Sequence, residues 1–165
     1  MTTKLDPIRV LFVCLGNICR SPMAEAVFRA LVRDAGVAHR FEIDSAGTSD
    51  YHEGEPPDAR AQEVARLRGI TLTGRSRPIR EQDLLRFDYV IVMDAENLRD
   101  VAALAERVEQ RAQVHLLREF DPEAGGELDV PDPYYGGRAG FERVHEMIER
   151  SCRGLLEHIN FERTL

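Results

Sequence analysis

The chain has 165 residues, 43% of them apolar, and its 29 acidic against 22 basic side chains leave a formal charge of −7. That length suits a single domain, residues 1–165, with a buried core. The acidic balance argues against broad nucleic-acid binding, which needs a cationic face to displace counterions, but not against one small positive pocket.

Three cysteines, Cys14, Cys19 and Cys152, do not resemble a disulfide framework and fit a reducing compartment. The N-terminal segment is too short in apolar residues for a signal peptide. No apolar run approaches the ~20 residues of a membrane span. A cytoplasmic protein without a membrane partner is expected. The histidines and cysteines show neither H-E-x-x-H nor C-x-x-C spacing, so neither metal nor cofactor is expected.

The nearly all-apolar run 8–13 predicts a buried parallel strand. A polar loop follows from Cys14 to Ser21, with Ser21 read as the cap of the next helix and Pro22 as its first residue. Ala24, Val27, Phe28, Leu31 and Ala35 recur at helical spacing up to Gly36. Residues 41–45 alternate as a second strand. A Gly- and Pro-rich loop leads to Asp58, which opens a helix carrying Ala61, Val64, Ala65 and Leu67 before Gly69.

A short helix is expected over 80–86 and a third strand over 89–93. Asp94 caps a helix with Leu98, Val101, Ala102 and Ala105 on one face, and 114–117 form a fourth strand. The loop 118–137 is longer than a plain connection requires, as functional loops often are. A last helix carries Phe141, Val144, Ile148, Cys152, Leu155 and Ile159 on one stripe. Strands alternating with helices predict an α/β sandwich around a four-stranded parallel sheet flanked by helices. Ligands of such sheets bind beyond the strands' carboxyl ends, so the loop after the first strand is the first candidate.

That loop reads Cys14-Leu15-Gly16-Asn17-Ile18-Cys19-Arg20-Ser21. Gly16 and Asn17 tolerate unusual backbone angles, so the chain can curl until its N–H groups converge. Together with a helix N-terminus they make an anion site. Arg20 supplies a planar fork for two phosphate oxygens. Sulfur attacks as the thiolate, a form favoured beside a helix N-terminus and a cation. The Ser21 hydroxyl is placed to hydrogen-bond that sulfur. A lone cysteine at a strand end would more often be core. Here strand, loop, arginine and helix occur in register, which favours a nucleophile.

The stretch VCLGNICRSPMAEA resembles the signature of low-molecular-weight protein tyrosine phosphatases. The likeness extends through DSAGTSDYHEGEPPDAR, VMDAENLRD and DPYYGG. It implies a metal-independent hydrolase that forms a phosphocysteine on Cys14. Among the acids of the long loop, chemistry alone does not choose. The resemblance selects Asp132, set between Pro131 and Pro133, as general acid and then general base. It also places Tyr51 and Tyr134 at the mouth of the pocket and assigns Asn17 and Ser45 to bracing the cradle. Leu15 and Ile18 are expected to form the apolar base of the entrance, with Tyr135 as a further wall. Many members carry a histidine where this chain reads Thr73-Gly74-Arg75-Ser76, so that bracing must differ.

Cys19 shares the loop with Cys14 and is a candidate to capture the oxidised nucleophile as a disulfide. Cys152 falls on an apolar stripe and reads as core. The expected partners are a phosphotyrosine protein or small aryl phosphate, with phosphate and other oxyanions as inhibitors, and the chain as monomer or weak homodimer. Two relatives of the same chemistry compete. An arsenate reductase needs two late relay cysteines, and only Cys152 follows Cys19. A phosphoarginine phosphatase typically has threonine where this chain has Ile18. A binding-only phosphate module would need neither Cys14 nor Asp132.

Overall fold

The computed structural model describes residues 6–165. The first five residues of the segment read against a signal peptide lie outside that range. Four strands, β1 (Ile8–Cys14), β2 (Phe41–Gly47), β3 (Tyr89–Val92) and β4 (Gln113–Leu116), form one sheet in the order β2-β1-β3-β4. Every ladder is parallel, with Phe12 opposite Ser45 on one side and Ile91 on the other. The fold is the expected α/β sandwich.

The side-chain period of a strand sorts the central strands between two cores. Val10, Phe12 and Cys14 of β1 face one way with Tyr89 and Ile91 of β3. They pack under α1 (Arg20–Asp34), α2 (Ala59–Leu67) and α5 (Arg138–Arg163). Leu11 and Val13 face the other way with Val90 and Val92, covered by α3 (Glu81–Arg86) and α4 (Ala95–Ala105). Burial on both faces is why these strands read as unbroken apolar runs.

The helices follow their sequence signals with a few departures. Asp58 caps α2 by accepting from the Arg60 N–H at 2.8 Å, and Asp94 caps α4 by accepting from the Asn97 N–H at 2.8 Å. The six-residue stripe of α5 is wholly buried. Leu67 and Ala102 prove exposed, since each lies where its helix turns toward solvent, and Ala35 is exposed just past the end of α1. The fourth strand ends at Leu116, and residues Leu117–Phe120 turn into a short 3-10 segment. The cap of α1 also differs: the helix begins at Arg20 with Cys19 as N-cap, and no side chain caps it. Ser21 lies inside the first turn, where its hydroxyl serves the sulfur instead.

In the order β2-β1-β3-β4, β1 connects to one neighbour and is flanked by the other. Its carboxyl end is therefore the point where the chain departs to opposite sides, and a crevice opens there.

Candidate active site

The crevice holds the loop that joins β1 to α1. Asn17 takes a left-handed φ of 56°, which a short polar side chain tolerates and a β-branched one does not. That turn brings the Asn17 N–H to 3.3 Å from Cys14 Sγ. Ser21 Oγ lies 3.0 Å from the same sulfur. Cys14 is 2% exposed, so its sulfur meets solvent only through the crevice.

A network of side chains holds this turn. Asn17 Nδ2 donates to Ser21 Oγ at 2.8 Å and to Ser45 Oγ at 3.0 Å, while Asn17 Oδ1 accepts from the Arg77 N–H at 3.0 Å. Ser45 in turn donates to Glu25 Oε1 at 2.7 Å. Ser76 Oγ donates to the Gly16 carbonyl at 2.9 Å, and Ser49 Oγ to the Leu15 carbonyl at 2.9 Å. The segment without the family histidine thus braces the loop through Ser76 and the Arg77 backbone. Gly74 lines a small cavity of about 60 Å³, and a Cβ built there would meet nothing within 4 Å.

Arg20 is buried yet faces the crevice. Burial by itself opposes its charge, but Cys14, Asp94 and Asp132 around it more than restore it. Nη1 donates to Asp94 Oδ2 at 2.6 Å and to the Val130 carbonyl at 3.0 Å. Nη2 stands 3.6 Å from Asp132 Oδ2. The long loop is fixed at Val130, whose N–H donates to the Met93 carbonyl at 2.7 Å. Asp132 Oδ1 accepts from the Tyr134 N–H at 3.0 Å. Burial pushes the Cys19 thiol far up, and the neighbouring Asp58, Cys14 and Asp132 add to this.

A narrow cleft of about 150 Å³ is lined by Cys14, Leu15, Gly16, Ile18, Cys19 and Arg20 at its floor and by Tyr51, His52, Asp132, Tyr134 and Tyr135 above. Asn17, Ser21 and Ser45 lie behind the sulfur rather than in the cleft. Tyr51 is 77% exposed at the mouth, and Tyr135, expected as a further wall, is 93% exposed and sits at the rim as well. Two contributions escaped the sequence reading. Asp94, read only as a cap, also grips Arg20 with its second oxygen. His52 packs on Gly16 so closely that a Cβ there would lie 3.0 Å from its ring, and its Nδ1 pairs with Glu55 Oε2 at 2.6 Å. The H-x-x-E spacing of the pair was visible, but nothing local tied it to Gly16. Among the described residues no group of three or more histidine, cysteine or acidic side chains is placed to hold a metal ion.

A thiol at the carboxyl end of a parallel strand, inside a curled loop and facing a buried guanidinium, defines an α/β enzyme class that acts on tetrahedral oxyanions through sulfur. The sequence profile of the low molecular weight phosphotyrosine protein phosphatases matches residues 9–165. A Streptomyces coelicolor low molecular weight protein-tyrosine-phosphatase is 54% identical over 90% of this chain and 91% of its own. The solved structure of YfkJ from Bacillus subtilis superposes with a TM-score of 0.87 at 42% identity, covering 98% of this chain and 99% of that one. DARP, a drosophila arginine phosphatase, also superposes at 0.87, with 33% identity over 92% of this chain and 97% of its own. The chain belongs to the low molecular weight phosphotyrosine protein phosphatase family.

Proposed function

We propose that this chain hydrolyses phosphotyrosine and small aryl phosphates through a phosphocysteine on Cys14. The observation that carries the reading is that Cys14 Sγ, Arg20 and Asp132 line one narrow cleft, with the Asn17 N–H and the Ser21 hydroxyl on the sulfur. Sulfur attacks phosphorus as the bond to the tyrosine oxygen breaks. Arg20 and the N–H groups of loop 14–21 hold the three equatorial oxygens as charge spreads over them. Asp132 gives its proton to the departing oxygen. In the second half Asp132 takes a proton from water as that water attacks phosphorus, releasing phosphate and the sulfur. Ser21 donates to the sulfur as it leaves. Leu15 and Ile18 at the entrance and Tyr51 and Tyr134 at the rim receive the aromatic ring.

The whole chain acts as one phosphatase domain in the cytoplasm, as a monomer or weak homodimer, and phosphate and related oxyanions compete for the cradle. Among the described residues no helix is long and apolar enough to cross a membrane. Phosphoarginine hydrolysis and arsenate reduction are not favoured. Ile18 offers the leaving group no polar contact, and the late cysteine, Cys152, is sealed in the core at 0% exposure.

The same reading extends to peroxide through Cys19, which shares the loop of Cys14 and whose buried thiol must give up its proton to react. Peroxide oxidises the Cys14 sulfur to a sulfenic acid, and Cys19 then displaces water from it to form a disulfide that thiols reduce. Thiol treatment after peroxide should restore less activity to Cys19→Ala than to the wild type; equal recovery removes this role.

The decisive experiment is turnover of phosphotyrosine, whose phenolate needs a proton to leave, by Asp132→Ala. The loss expected of a missing general acid is ~10²–10⁴-fold. A variant as fast as the wild type would place the acid elsewhere.

A further inference from the structure

Arg60 lies outside the reaction as described, yet it connects the two halves of the site. The Asp58 N–H donates to the Ile18 carbonyl at 2.8 Å, so the start of α2 is fixed to the phosphate loop. The Asp58 carboxylate grips Arg60 through Nε at 3.1 Å and Nη2 at 3.0 Å. Two parallel bonds of this kind fix the plane of the guanidinium as well as its position. The guanidinium carbon lies over two rings, 5.4 Å from the Tyr134 centroid and 4.6 Å from the Phe141 centroid. Nη1 reaches the Gly136 carbonyl at 3.5 Å. The Tyr134 N–H holds Asp132 Oδ1 at 3.0 Å.

A continuous path therefore runs from the phosphate loop through Asp58, Arg60 and Tyr134 to the Asp132 carboxylate. On the near side of Asp132 the loop is pinned by Val130, between Met93 and Arg20. On the far side the fork of Arg60 meets the Tyr134 ring and the Gly136 carbonyl. Arg60 is exposed, so its pairing with Asp58 adds little to overall stability. Its consequence is geometric, because proton transfer needs donor and acceptor in hydrogen-bond reach.

We propose that Arg60 is a positioning residue for the proton transfer: locked by Asp58, it stacks on Tyr134 and sets where the Asp132 carboxyl stands over the departing oxygen. The proposal rests on the assignment of Asp132 as general acid. Arginine suits the task because lysine keeps the charge without the planar fork or the stacking face.

The test compares wild type, Arg60→Lys, Arg60→Met and Asp132→Asn on two small substrates, phenyl phosphate and p-nitrophenyl phosphate. Both are too small to reach peptide-binding surface. The nitrophenolate leaves readily without a proton, whereas the phenolate needs one. The reading is the ratio of the two kcat/KM values, which reports the step that breaks the ester bond. Both Arg60 variants should lose roughly 3–10-fold on phenyl phosphate and less than about 2-fold on the nitrophenyl ester, as a modest displacement of the acid predicts. Equal losses on both substrates, or none, would overturn the role of Arg60. Asp132→Asn separates the two claims. If it shows no leaving-group selectivity, the acid assignment fails and this proposal with it. If it is selective and the Arg60 variants are not, only the Arg60 role fails. A ratio is unaffected by the fraction of molecules folded, so lost stability does not imitate the expected result.

Discussion

Cys14 and Arg20 are each only 2% exposed, and what surrounds them decides their chemistry. The sulfur's hydrogen-bond partners, the Asn17 N–H and the Ser21 hydroxyl, are both able to donate. Cys14→Ser should abolish turnover of an aryl phosphate while inorganic phosphate still binds, measured by isothermal titration. Loss of phosphate binding as well would show that the sulfur holds the loop together. Asp94 performs two tasks with two oxygens, one on the α4 N-terminus and one on Arg20. Asp94→Asn keeps an acceptor for the cap but weakens the hold on the guanidinium. Inhibition by phosphate should weaken roughly 10-fold, the scale of one charge-assisted hydrogen bond. Asp94→Ala should add about 1 kcal/mol of instability from the lost cap, seen in chemical denaturation. At this scale the sequence showed the nucleophile, the arginine and the acid, because their spacing is local. His52 on Gly16 and Asp94 on Arg20 were not legible, because each joins segments distant in the chain.

Between elements, α5 approaches the segment Leu117–Phe120 so closely that there is no room for a side chain at Gly154. A Cβ on Gly154 would lie 1.9 Å from the Phe120 carbonyl oxygen. In an isolated helix, replacing glycine by alanine stabilises by about 1 kcal/mol. Here the obstacle is backbone, which must shift together with the ion network behind it. Burial pushes the Asp121 carboxyl up, but the Glu123 N–H, Arg150 and Arg118 hold it below the ordinary range. Gly154→Ala should therefore destabilise by about 1–3 kcal/mol, as overpacking does, and an unchanged or raised denaturation midpoint would refute this contact. The start of α1 teaches the converse lesson. Ser21 followed by Pro22 is a strong cap signal, yet the helix starts two residues earlier, at Arg20 with Cys19 as its cap. The hydroxyl finds better partners in Cys14 and Asn17 than in the helix end.

For the molecule as a whole, the core that α1, α2 and α5 share includes a buried titratable side chain, His145. His145 on α5 is buried, and both ring nitrogens lack a hydrogen-bond partner among the described residues. Burial, reinforced by Arg68 just past the end of α2 and only partly offset by Glu149 and Glu146, holds its proton affinity below that of a free histidine. The unfolded chain therefore binds the proton first as pH falls. The contribution of neutral His145 is present above about pH 6.5 and is lost on acidification through the depressed folded value. His145→Leu should show a smaller fall in thermal midpoint between pH 7 and pH 5 than the wild type. Equal falls would locate the acid sensitivity elsewhere.

The sequence by itself determined the order of strands and helices, the parallel sheet and the loop that curls around Cys14. Apolar runs, caps and the C-x5-R-S spacing are properties of neighbouring residues. Only the tertiary structure decided that Asp94 reaches Arg20, that Ser76 and Arg77 brace a loop without the family histidine, and that Arg60 ties α2 to the segment of Asp132. These contacts span 74, 60 and 76 positions of the chain. No local pattern encodes them, because the sheet brings such segments together only after it has formed.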